Sequence, residues 1–125
     1  MTRYVLYADE ADQDGSKEFL VYVGCIFPSD QLKKICARLA AECHGTPFNA
    51  LNLKFSPGKL AADQNIRSTH TDIKQKALQL GVESGVEIVC YLAPFTIAKG
   101  ISHEERLKFG VNTILMKFNQ YLGSV

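Results

Sequence analysis

Asp9 and Glu10 stand side by side at the end of an apolar run, Arg3–Asp9 (RYVLYAD). Carboxylate oxygens are the ligands that Mg²⁺ and Mn²⁺ take, and the ends of buried strands at a sheet rim are where α/β sites gather. The chemistry such a pair would do is to hold a divalent cation, with Asp9 and Glu10 as metal and catalytic residues. Strand-to-turn positions favour Asp on conformational grounds as well, so the adjacency alone does not decide. Glu10–Gly15 resembles the opening of a calcium loop, but its first ligand is Glu and Val21 stands where a bidentate Glu belongs, which excludes calcium. Asp72 and Glu83, on a later helical segment, are the further carboxylates that could join Asp9, with Asp72 the catalytic candidate.

The basic candidates are Lys54, Lys59 and Arg67, a loose stretch that could meet phosphate, with Lys54 and Lys59 as the nucleic-acid-binding residues. Lys33, Lys34 and Arg38 mark the solvent face of a helix. His44, His70 and His103 each lie beside a predicted helix end, and their spacing matches no zinc pattern. Ser56-Pro57-Gly58-Lys59 lacks the spacing of a phosphate-cradling loop. Cys25, Cys36, Cys43 and Cys90 contain no Cys-x-x-Cys pair and read as small buried thiols, unbridged, in a reducing cytoplasm.

These residues must be positioned by elements that the hydrophobic pattern outlines. Arg3–Asp9 and Phe19–Phe27 are nearly continuous apolar runs, which suits antiparallel strands at the sheet centre, covered on both faces. Asp14-Gly15 supplies the turn between them. Pro28 and Ser29 stop the second strand and cap a helix with Leu32, Ile35, Leu39 and Cys43 on one face and Gly45 after it. Leu51–Phe55 alternates with period two and reads as a short edge strand, and Ala61–Thr69 reads as a polar connection. A second helix is expected over Thr71–Ser84 and a buried strand over Val86–Ala93. Ser102 and Glu105 form a capping box for a third helix that ends at Gly123.

The expected order is therefore β-β-α-β-α-β-α, an α/β fold with a mixed sheet. At 125 residues and a net charge of +1 the chain suits one domain, 1–125, and its balance excludes a polyanion-coating tail. Acid is nonetheless gathered at the front, where residues 1–18 hold five acidic and two basic side chains. The apolar runs reach about half of the ~20 residues that a membrane span needs, so no membrane partner is expected.

Tyr4–Glu10 (YVLYADE), the Gly24-containing run Phe19–Phe27, and Leu53-Lys54-Phe55-Ser56 together resemble an uncharacterised family, domain of unknown function 3800. The resemblance covers most of this chain but only the front half of a typical member. It implies an RNase H-like fold and a Mg²⁺- or Mn²⁺-dependent nuclease in mobile-element or phage-conflict settings, with Asp9 as the first-strand aspartate. Ala11 and Asp12 depart from the family's Ser-Gly, and the later carboxylates and last strand of the fold would fall beyond Val125. Two-metal cleavage needs more carboxylates than Asp9, Glu10 and Asp72 supply with certainty, so the expected activity of this chain alone is low. The alternatives are a non-catalytic binding or assembly module on the same scaffold and a small-molecule phosphohydrolase. The unpaired sheet edge beside Val86–Ala93 and the apolar third helix predict a homo-oligomer, or a partner supplying the missing strand.

Overall fold

Val, Ile, Tyr and Phe, which fit a pleated half-buried surface, recur in three segments that form strands among the described residues. The computed structural model describes residues 1–11, 18–49, 53 and 63–125. In chain order its elements are β1 (Tyr4–Ala11), β2 (Phe19–Pro28), α1 (Leu32–Cys43), α2 (Gln64–Glu83), β3 (Glu87–Pro94), α3 (Phe95–Ala98) and α4 (His103–Ser124). They fall into two compact units, a sheet unit of Tyr4–Phe27 and Glu87–Val125 and a helical unit of Met1–Arg3 and Pro28–Val86. No helix among the described residues is long and apolar enough to cross a membrane.

In the sheet unit β2 lies between β1 and β3. It pairs antiparallel with β3, Val21 opposite Leu92 and Val23 opposite Cys90. Where β1 begins and β2 ends, the Ser29 N–H donates to the Arg3 carbonyl at 2.8 Å, so this pair is antiparallel too. The described sheet is antiparallel throughout, where a mixed one was expected. One face carries α4. A Cβ on Gly24 would sit 2.8 Å from Leu6 Cδ1 and 2.9 Å from both Ile114 Cγ2 and Val89 Cγ2, so the strand and the helix approach through a glycine. Leu20, Tyr22, Ala98 and Ile114 form the buried centre of that layer.

The other face is open. Tyr7 packs edge-on against Phe27 there and is 58% exposed, with Ile88 at 61% and Leu92 at 57%. The expectation that Arg3–Asp9 and Phe19–Phe27 are both central and covered on both faces is corrected for β1, an edge strand of the described sheet with Tyr7 exposed, while Val5, Val21, Val23 and Phe27 on the same face are half-buried. A continuous apolar run does not by itself distinguish a strand covered twice from one covered once.

The helical unit pairs α1 with α2 over Leu39, Cys43, Ile66 and Ile73, with Phe48 and Leu53 in the same cluster. Two exposed ion pairs cross the seam, Arg38–Glu83 at 3.5 Å and Lys76–Glu42 at 2.9 Å, and contribute little beside the apolar contact. The second helix starts seven residues earlier than the expected Thr71, at Gln64, with the Asp63 carboxylate accepting the Asn65 N–H at 2.8 Å. Most of the polar connection is thus helix. His70 is not a terminal residue but a fully buried one inside α2, and its Nε2–H donates to the Leu53 carbonyl at 2.9 Å. Ser29 does not cap α1, whose N-cap is Gln31 with no side-chain bond. Gly45 does end it, at φ +77°. The expected strand Leu51–Phe55 lies outside the described residues except for Leu53, which is in a turn and donates its N–H to the Asn49 carbonyl.

Candidate functional site

Asp9 lies near the end of β1, exposed, and its Oδ1 accepts the N–H of Glu10 at 2.9 Å. Side chains alternate across a strand. Leu6 meets Gly24 and Ile114 on the face covered by α4, and Tyr7 meets Phe27 on the open face. Asp9 therefore shares the open face with Tyr7, and Glu10 takes the side of Leu6. By this alternation the two carboxylates expected to share a metal ion leave the backbone of β1 toward opposite faces.

Asp72 is an exposed residue of α2 in the helical unit, while Asp9 and Glu10 belong to the sheet unit. Glu83 is taken up locally, accepting from Arg38 Nη1 at 3.5 Å and Gln79 Nε2 at 3.0 Å. Lys54 and Lys59 lie outside the described residues, as do Asp12 and Asp14. Among the described residues no group of three or more His, Cys, Asp or Glu is placed to hold a metal ion. The four cysteines are free: Cys36 and Cys90 are exposed, Cys43 is buried and Cys25 half-buried.

Two further features lie outside the expected metal and nucleic-acid sites. On α4, Leu107, Gly110 and Ile114 pack toward the sheet, and a second stripe beside them, Val111, Leu115, Phe118 and Leu122, followed by Val125 just past the helix, is mostly exposed. Its 4-3-4-3 spacing was legible in the sequence, but only the packing shows that the sheet leaves it uncovered. The second is Arg106, whose Nε is buried without a hydrogen-bond acceptor.

No protein-family model matches this chain, and neither a curated protein nor a solved structure does.

Proposed function

We propose that this chain is an assembly module whose α4 seats the α4 of a second copy. The observation that carries this reading is the stripe Val111, Leu115, Phe118, Leu122 and Val125, which repeats at heptad spacing and leaves Leu115 51% and Leu122 41% exposed. Apolar residues at that spacing form the seam of paired helices. Between Phe109 and Val125, Lys117 is the one charged side chain, so two copies meet without repulsion along the seam. Phe109 and Met116, on the far side of the helix, are exposed as well. The fourteen steps from Val111 to Val125 span ~21 Å, two heptads rather than the three or four of a free-standing coiled coil. Association is accordingly weak and depends on concentration.

Sedimentation across a protein concentration series tests it. A dimer that forms at high micromolar protein and is lost in Leu115→Lys and Leu122→Lys supports the reading. A monomer at every concentration, or a dimer indifferent to both substitutions, overturns it.

The second reading is the metal-dependent nuclease acting on nucleic-acid phosphodiesters, on an RNase H-like scaffold, that the family resemblance implies. What favours it is the exposed Asp9 carboxylate on the open face at the end of β1. In that reading Lys54 and Lys59 lie along the nucleic-acid backbone. Mn²⁺-dependent cleavage that Asp9→Asn abolishes would establish it, and cleavage that survives Asp9→Asn would remove Asp9 from the reaction.

A further inference from the structure

Arg106 sits in the first turn of α4, where a charged side chain ordinarily reaches water. Here its guanidinium lies over the Phe95 ring, 5.7 Å from the centroid, and Nη1 donates to the Ala98 carbonyl at a long 3.5 Å. Nε, on another edge of the fork, is buried and has no acceptor. None of the ion pairs among the described residues includes Arg106. Glu104 and Glu105, two positions and one position away, do not face it on a helix, and Glu104 is held by Lys108 at 3.1 Å. A partly buried cation with an unfilled donor is costly unless an anion completes it.

Beside it is a cavity of about 160 Å³ in the sheet unit, walled by Tyr22, Tyr91, Ala93, Ala98 and Phe109 with Arg106 as its charged member. Tyr22 and Tyr91 stand 5.9 Å apart, centroid to centroid, with their planes tilted by 37°. A cavity of ~150 Å³ with apolar walls holds a benzene ring. The guanidinium fork pairs side-on with a carboxylate through two parallel N–H bonds, which a point charge would not select.

We infer that this cavity is a binding site for a small aromatic monocarboxylate, whose ring lies among Tyr22, Tyr91 and Phe109 while its carboxylate pairs with the Arg106 guanidinium where it borders the cavity. Arg106 and Phe109 lie on the flank of α4 away from Val111 and Leu115, so the site is independent of the assembly seam. Its ligand is a molecule with one ring and one negative group. A phosphate monoester shares the charge but needs more donors than this edge offers.

Benzoate and its neutral analogue benzyl alcohol, titrated into the full chain and followed by amide and guanidinium NMR shifts, test the inference without any substitution. The expected result is saturable benzoate binding in the millimolar range, with shifts at Tyr91, Ala93, Ala98 and Arg106 Nε, and at least tenfold weaker binding of benzyl alcohol. In Arg106→Gln, checked for an unchanged amide spectrum elsewhere, benzoate should weaken about tenfold while benzyl alcohol stays as it was. Equal binding of the two probes, shifts scattered over other surfaces, or no saturable shift overturns the site. Tighter binding of phenyl phosphate than benzoate would overturn the carboxylate assignment.

Discussion

The ring of Tyr22 occupies the space that a side chain on Gly110 would enter. A Cβ at position 110 would overlap ring atoms Cε1, Cδ1 and Cζ, and Tyr22 is only 3% exposed. In an open helix Gly→Ala gains up to about 1 kcal/mol, but forcing a methyl into a packed contact costs about 1–3 kcal/mol. The clash wins. Gly110→Ala should lose about 1–2 kcal/mol in urea unfolding, whereas Gly123→Ala, with nothing within 4 Å, should be neutral or gain up to about 1 kcal/mol. Equal effects of the two substitutions would show that Tyr22 yields.

That contact also marks where sequence reading stops. Gly110 is legible as a member of the apolar stripe of α4, and the capping box that begins the helix is where Ser102 and Glu105 place it, the Glu105 N–H donating to Ser102 Oγ at 3.2 Å. What the stripe packs against is not legible, because the partner arrives from β2, more than eighty residues earlier. The start of α2 was readable in principle: Ile66, His70, Ile73, Ala77 and Leu80 keep helical spacing, but counting His70 as polar breaks the pattern. The divergence of Asp9 and Glu10 follows from strand periodicity alone. Arg106 passes for a surface charge in sequence, since its burial depends on α3, a four-residue helix with no periodic signal.

His70 ties the interior of α2 to the Leu53 carbonyl, and Phe48 lies against its ring at 5.0 Å. Because a carbonyl only accepts, Nε2 carries the proton and Nδ1 is left without a partner. His70→Ala opens a void and strands a buried carbonyl, costing about 2–4 kcal/mol. His70→Gln, which keeps an N–H donor of similar reach, should recover part of that loss. Chemical denaturation of the three proteins checks both, and equal stability of Ala and Gln variants would show that the hydrogen bond contributes nothing.

Burial pushes the Cys25 thiol above its usual range, with neighbouring Cys90 adding to the shift. The thiolate is the nucleophile, so a raised pKa leaves less of it at pH 8 and the gap closes only as the solution becomes more alkaline. Together with exposure, this sets an order of alkylation: Cys36 and Cys90 first, Cys25 and Cys43 later. Mass spectrometry of timed iodoacetamide labelling reads the order directly, and Cys25 reacting ahead of Cys36 would contradict it.

Three residues with capping side chains stand at or near helix starts, and they separate cleanly. Asp63 accepts the Asn65 N–H and Ser102 accepts the Glu105 N–H, each satisfying a donor that the first turn leaves without a partner. Ser29 lies two residues before the N-cap of α1 and makes no capping bond there; its own N–H goes to Arg3. Replacing a capping side chain by Ala costs about 0.5–2 kcal/mol. Asp63→Ala and Ser102→Ala should each fall in that range, and Ser29→Ala should stay within about 0.5 kcal/mol of the unsubstituted chain, the ordinary range for substitutions away from such features. The Ser29 hydroxyl is the informative control, because it has the right residue type beside a helix and lacks only the geometry. If Ser29→Ala destabilises as much as Asp63→Ala, α1 begins earlier than Leu32 and residue type alone would have located its start.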